Sequence, residues 1–162
     1  YGPCGKPALA GALGELEFNL AHSDALVVCA VVPRCGGVGV DLERVRPLSD
    51  AEAVARKALS PRELARLQSL PESDRLRGFY EAWTRKEAFL KALGCGLARP
   101  LGSFDVAFGP GEPPRLLRTR GDPAEAERFS LHAFEPDPGH VGAVAVAGHG
   151  WRVRHLWWRW TE

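Results

Sequence analysis

The chain has 162 residues, of which 45% are hydrophobic and 25% charged, and its formal net charge is +1. This composition excludes general disorder and a membrane-embedded chain, and the length allows one domain or two small lobes. A net charge so near zero gives no global reason to expect nucleic acid as a partner. The four cysteines have no paired metal-ligand spacing, which indicates reduced thiols in a cytoplasmic protein.

The early part of the chain is predicted to form strands. Residues 1–15 are rich in Gly, Pro and Ala and are interpreted as a loop. Apolar segments of strand length follow at residues 16–20, 25–32 and 38–43.

The pattern then changes to helical. Residues 50–59 are predicted to form one helix. Ser60, Pro61 and Glu63 mark the start of a second helix, with a Ser cap, Pro at the first position and Glu three residues after the cap. A long helix is predicted from about residue 73 to residue 93, with Gly94 as its natural stop.

The rest of the chain is predicted to be mainly strands. They are expected at residues 103–108, 115–119, 129–134, 141–147 and 151–160. The complete set predicts an α+β fold in which a mostly antiparallel sheet packs against helices.

Two segments carry side chains with possible chemistry. Asp41 and Glu43 are two residues apart on a predicted strand and therefore point from the same face. Glu87 and Lys91 are four apart on the long helix and share one helical face. Taken singly, Asp41 and Glu43 are ordinary solvent-facing residues of a strand, and Glu87 and Lys91 are an ordinary surface ion pair. If the chain brings Glu87 back to the other two acids, the three carboxylates are hard oxygen ligands of the kind that Mg²⁺ requires.

Five stretches in order resemble the Sfp-type 4′-phosphopantetheinyl transferase family. Two are the segments from Gly39 to Glu43 and from Trp83 to Lys91, which are similar to the two-part family signature. The others are Gly5-Lys6-Pro7, Phe18-Asn-Leu-Ala-His-Ser23 and Gly96-Leu-Ala-Arg-Pro-Leu101. Each motif alone is weak, but the five in sequence with compatible spacing are specific.

The resemblance implies transfer of phosphopantetheine from coenzyme A to a serine of an acidic acyl or peptidyl carrier protein, with release of 3′,5′-ADP. It places Asp41, Glu43 and Glu87 as ligands of Mg²⁺, with Mn²⁺ as an alternative metal. It further implies that Glu87 is the base for the acceptor serine and that Lys91 contacts the coenzyme A phosphates. The resemblance does not distinguish a carrier of fatty-acid synthesis from one of polyketide, nonribosomal-peptide or other synthesis.

Coenzyme A binding is implied at two further positions. His22 matches the histidine near the 3′-phosphate, and Lys6 matches the lysine of the Gly-Lys-Pro stretch near the nucleotide. Ala21 stands where the family usually has serine, so one donor to a phosphate is absent.

The resemblance also implies two similar lobes. Residues 1–37 are expected to be a remnant of the first lobe and residues 38–162 the second lobe, which carries the metal site. We expect most of the first lobe to precede Tyr1, because the early strands would otherwise expose an apolar face.

Several other interpretations of the sequence stay open beside the transferase. The chain could be a catalytically inactive homologue that binds coenzyme A or a carrier, or an unrelated Mg²⁺ phosphohydrolase. Arg62 and Arg66 form a basic stripe that is either a solvated helix face or a carrier-steering surface.

Lys86 lies about 100° around the helix from Glu87 and is interpreted as solvent-facing or packed along its stem. Trp83 and Phe89 are predicted to be core residues.

Overall fold

A computed structural model describes residues 5–94 and 99–159. The predictions for Cys4 and Cys95, for the start of the Gly96-to-Leu101 stretch and for Trp160 lie outside the described residues. The strands are β1 Leu16–Ser23, β2 Leu26–Pro33, β3 Val38–Arg44, β4 Phe104–Val106, β5 Leu116–Thr119, β6 Phe129–Phe134 and β7 His140–Ala147. The helices are α1 Ala51–Ala58, α2 Pro61–Ser69 and α3 Glu72–Leu93.

The described strands form three antiparallel sheets. β1 pairs with β2, β4 pairs with β5, and β7 lies between β3 and β6 in a three-stranded sheet. The long helix α3 packs across β3 and β7, and an aromatic cluster fills the space beneath it. Phe89 is fully buried there and meets Phe104 and Phe129 edge-on, with ring centroids 5.0 and 5.2 Å apart. The predicted α+β class with antiparallel sheet and helices is confirmed.

Local sequence signals account for the helix ends. At the start of α2, the Ser60 side chain accepts from the backbone N–H of Glu63, and the Glu63 carboxylate accepts from the backbone N–H of Ser60. This reciprocal pair is the predicted capping box. At the end of α3, Gly94 adopts the left-handed conformation with φ of 68°, which an L side chain would resist.

The prediction for Lys86 was wrong. Its side chain is fully buried, and its ammonium bonds both carboxylate oxygens of Glu63, at 2.8 and 2.7 Å. It also donates to the carbonyl of Phe104 at 2.6 Å. Glu63 was recognised as a capping residue, but its carboxylate also neutralises a lysine 23 positions later in the chain. A contact at that separation leaves no periodic signal in the sequence.

The predicted last strand was also wrong within the described residues. Residues 151–159 have no regular secondary structure. Trp157 and Trp158 are 70% and 80% exposed, although Trp151 donates its indole N–H to the Ala147 carbonyl at 2.9 Å. In addition, residues 11–15 within the predicted early loop form a short 3₁₀ helix.

One face of the β1–β2 hairpin is apolar and open to solvent. Leu20, Val27 and Val31 are 49%, 71% and 55% exposed on this face. The opposite face, which includes the buried Asn19 and Ala21, lies against β3. Among residues 5–94 and 99–159, every helix is too short or too polar to span a bilayer.

Candidate active site

Gly39 sets the distance between β3 and α3. A Cβ atom at this position would lie 2.1 Å from the Ala88 carbonyl oxygen and 2.3 Å from the Ala92 nitrogen. Only glycine therefore permits the strand to approach the helix backbone so closely. The approach brings Asp41, two residues further along β3, beside Lys91 of the helix.

Asp41 lies at the centre of the candidate site. Asp41 is 7% exposed, and its Oδ1 accepts a hydrogen bond from the Lys91 ammonium at 2.7 Å. Its Oδ2 is buried and has no hydrogen-bond partner in the described part of the chain. Burial raises the pKa of Asp41 to about 7, against the opposing effect of Lys91, and the negative charges of Glu43 and Glu87 add to the rise.

Glu43 and Glu87 complete an acidic cluster around Lys91. Both are half-buried, and burial raises the pKa of each carboxyl. The Glu43 charge raises the pKa of Glu87 further, whereas Lys91 opposes the rise at both carboxyls. The fold therefore places Asp41, Glu43 and Glu87 near enough to perturb one another, with one ammonium among three carboxylates.

The side chains of this cluster suit a hard divalent cation. A buried, unpartnered carboxylate oxygen next to two further carboxylates is a set of donors that a cation stabilises. In the described residues, no three His, Cys, Asp or Glu side chains are already arranged to hold a metal ion. Oδ1 of Asp41 is bonded to Lys91 instead.

The two residues predicted to contact the nucleotide, His22 and Lys6, lie in different surroundings. His22 is exposed on β1, two residues from Leu20, and therefore projects from the solvent-exposed face of the hairpin. Lys6 donates to the carbonyls of Val38 and Ala92, at 2.7 and 3.3 Å, and burial lowers its pKa. Lys6 is thus engaged with backbone groups at the opposite end of β3 from Glu43.

The Ala21 methyl group faces β3. It packs in a small buried cluster with Val40 and Leu42. The alanine therefore fits the apolar contact between β1 and β3.

A second feature is a basic cavity beside α2. The cavity has a volume of about 240 Å³, and Arg62, Arg66 and Arg115 are exposed at its edge. Asp105 and Glu63, which also line it, are already paired with Arg118 and Lys86. Glu112 also lines the cavity, so the three arginines still leave the rim with a net positive charge.

Comparison with known proteins decides the family. The model of the 4′-phosphopantetheinyl transferase superfamily matches residues 37–147, which include β3, α3, the three carboxylates of the acidic cluster and Lys91. This chain belongs to that superfamily. The predicted resemblance is confirmed.

Curated phosphopantetheinyl transferases align with nearly the whole chain. The transferase HetI of Nostoc sp. is 42% identical over 156 residues, which cover 95% of this chain and 62% of the relative. The transferase Sfp of Bacillus subtilis is 31% identical over 144 residues, covering 88% and 60% respectively. The chain therefore spans about three fifths of the length of these relatives.

Solved structures of holo-acyl-carrier-protein synthases share the fold. Holo-acyl-carrier-protein synthase of Neisseria meningitidis superposes with a TM-score of 0.57 at 21% identity, covering 72% of this chain and all of that chain. The Bacillus anthracis synthase, solved in complex with coenzyme A (3′,5′-ADP), has a TM-score of 0.53 at 19% identity and covers 70% of this chain and 96% of its own. At these identities the likeness establishes the common fold.

Sequence reasoning missed several residues that support the candidate site and the helix beside it. Asn19 and Ser23 bond the backbone of β3, and Lys86 joins α3 to α2. Asn19 and Ser23 stood inside a recognised motif, but the motif gave no indication of which groups they contact.

Proposed function

We propose that this protein transfers the 4′-phosphopantetheine group of coenzyme A to a serine of an apo carrier protein and releases 3′,5′-ADP. The observation that carries the proposal is the cluster of Asp41, Glu43, Glu87 and Lys91 within the region matched by the superfamily. A diphosphate brings negative charge that must be neutralised as its P–O bond breaks. Lys91 and a bound cation would supply the positive charge that phosphoryl-type transfer requires.

Asp41, Glu43 and Glu87 would hold Mg²⁺, or Mn²⁺ in its place. When bound, the cation would neutralise charge on the diphosphate and on the leaving 3′,5′-ADP. The buried Oδ2 of Asp41 supports this assignment, because it is an anionic oxygen that has no donor in the described part of the chain.

Glu87 is proposed as the base that accepts the proton of the acceptor serine. Its raised pKa makes its carboxylate a better proton acceptor than an ordinary glutamate. Lys91 is proposed to bind a phosphate oxygen of coenzyme A. Its side chain is 31% exposed and is therefore accessible from solvent while its ammonium bonds Asp41.

His22 is proposed to bind the 3′-phosphate, because it is an exposed side chain one residue before Ser23, which bonds Glu43. Lys6 would reach a phosphate only after its ammonium leaves the carbonyls of Val38 and Ala92. We further propose that residues 1–37 and 38–162 belong to two lobes, since β1 and β2 form a sheet separate from β3. A cytoplasmic location is proposed from the unpaired thiols of Cys29 and Cys35.

Replacing Glu87 by Gln tests the assignment of the base. The variant keeps the shape of the side chain but removes its basicity, so transfer should fall by roughly 10²–10⁴-fold. The measurement is intact mass of an apo carrier incubated with coenzyme A, Mg²⁺ and the protein. Glu72→Gln is the matched control, because Glu72 is exposed in the first turn of the same helix.

The same assay separates the alternatives. A carrier that gains the mass of phosphopantetheine supports the transferase. Coenzyme A binding without that gain would favour an inactive binding homologue, and phosphate release without any carrier would favour a phosphohydrolase. Near wild-type transfer by Glu87→Gln would remove Glu87 from the role of base.

The basic rim of the cavity beside α2 is proposed to attract an acidic carrier. Reversing the charge of Arg62 and Arg66 together should raise KM for the carrier on the order of tenfold at low ionic strength, because steering weakens. KM for coenzyme A should not change. Reversal of Arg152 and Arg154, exposed in the tail, alters net charge equally and serves as the control. An equal effect of both pairs would contradict a local docking surface.

A further inference from the structure

The strand that carries Asp41 and Glu43 has one edge without a partner strand. β3 pairs with β7 along one edge, and within the described residues no strand pairs with the other. Backbone groups of alternate residues point to that second edge and need other partners. Side chains provide them, beginning with Lys6, which donates to the Val38 carbonyl at 2.7 Å.

Asn19 bonds the backbone directly before Asp41. Its side chain lies between the hairpin and β3, and Oδ1 accepts from the Val40 N–H at 2.9 Å. The carbonyl of the same Val40 accepts from the Lys91 ammonium at 3.1 Å. Both polar backbone groups of Val40 are therefore held by side chains, one from β1 and one from α3.

Ser23 makes the corresponding contact after Glu43. Its Oγ accepts from the Arg44 N–H at 3.0 Å and lies 3.4 Å from Glu43 Oε2, to which it donates. Asn19 and Ser23 are four residues apart on β1 and therefore project from the same face. Together they hold β3 on both sides of the acidic pair.

We propose that Asn19 and Ser23 are positioning residues for the metal-binding carboxylates. A strand whose free edge has no partner strand can shift and twist, and the hydrogen bonds from β1 limit both movements. They set where Asp41 and Glu43 stand relative to Glu87 on α3. This role rests on the metal binding that the proposed function assigns to the acidic cluster.

Binding of Mn²⁺ alone tests the proposal without recourse to activity. Electron paramagnetic resonance of free Mn²⁺ gives the affinity of each variant at one pH. Ser23→Ala and Asn19→Leu should each weaken Mn²⁺ binding at least about tenfold, as loss of partners of metal ligands does elsewhere. Asn19→Asp keeps an acceptor oxygen for the Val40 N–H and should restore the affinity.

Leu20→Ala is the matched control, because Leu20 is 49% exposed on the opposite face of the same strand. Its affinity for Mn²⁺ should equal that of wild type. Ser23 is only half-buried, so Ser23→Ala remains decisive even if Asn19→Leu does not fold. Thermal unfolding establishes which variants are folded.

Unchanged Mn²⁺ affinity in folded Ser23→Ala would overturn the proposal, as would an Asn19→Asp affinity as weak as that of a folded Asn19→Leu. Wild-type protein that binds Mn²⁺ but transfers nothing to any carrier would defeat the proposed function and leave the positioning role intact. Wild-type protein that binds no Mn²⁺ would defeat both.

Discussion

Asp41→Asn is expected to abolish transfer and, at the same time, to stabilise the metal-free protein at pH 8. Transfer should fall by more than about 100-fold, since even partners of metal ligands cost 10–100-fold when removed. The gain in stability follows from the burial of the Asp41 carboxylate, of which one oxygen has no hydrogen-bond partner in the described part of the chain. Asn keeps the shape and removes the charge.

The pH dependence of this effect has a definite sign. Folding raises the pKa of Asp41 from 3.8 to about 7, so the folded state binds the proton more tightly. The resulting stabilisation is present below pH 4 and is lost as the pH rises to about 7. The shift corresponds to a change in unfolding free energy on the order of 4 kcal/mol.

Urea unfolding in the presence of a chelator, at pH 5 and at pH 8, measures the effect. Wild type should lose stability relative to Asp41→Asn between these two values. Asp50→Asn is the control, because Asp50 is exposed and its side chain makes no cap hydrogen bond. An Asp41→Asn difference that is the same at both pH values would show that the Asp41 carboxyl does not titrate in this range.

Lys86→Met is expected to destabilise the fold by roughly 3–5 kcal/mol. The substitution leaves the carboxylate of Glu63 fully buried without its ammonium partner. Burial lowers the pKa of Lys86 itself, and the charges of Glu63 and Asp105 oppose that shift. The Glu63 carboxylate, which favours the charged form of the lysine, would remain after the substitution.

A double variant distinguishes the loss of the pair from the loss of packing. Lys86→Met combined with Glu63→Gln removes both charges and should recover at least about half of the lost stability, because replacing both members of a buried ion pair is often neutral. Unfolding free energies of the wild type, both single variants and the double variant give the coupling.

Arg56→Met provides the surface comparison. Arg56 pairs with Glu52 on α1, and both side chains are more than 60% exposed. Its substitution should cost less than about 1 kcal/mol. If Lys86→Met costs no more than Arg56→Met, the buried pair does not hold α2 to α3.

The acidic cluster shows how this site departs from the rules that stabilise the rest of the fold. Elsewhere, buried charges are paired and bonded, as Lys86 and Glu63 are. Around Asp41, the single ammonium of Lys91 lies among the carboxylates of Asp41, Glu43 and Glu87. The pKa values of all three carboxyls rise on folding. Such a departure is expected where a ligand completes the site.

Local patterns in the sequence were sufficient for the elements and for the candidate residues. The capping box of Ser60 and Glu63 and the terminal Gly94 depend on contacts within a few residues, which the sequence displays directly. Residue spacing likewise placed Asp41 with Glu43 and Glu87 with Lys91. The family motifs then connected the two pairs.

The exposed tail shows where spacing alone was insufficient. Loose alternation of apolar and polar residues predicted a strand at residues 151–160. Residues 151–159 form no strand and pair with no strand of the described chain. A strand requires a partner edge, and a single segment cannot indicate whether one is available.

By itself, the sequence determined the helices and most strands, the acidic residues and the family. Only the tertiary structure decided that Lys86 is buried against Glu63, that Lys6 bonds carbonyls of Val38 and Ala92, and that β1 side chains complete the edge of β3. The reason is that helix ends and side-chain periodicity depend on near neighbours in the chain. Burial and counter-charge depend on residues that folding brings together from distant positions.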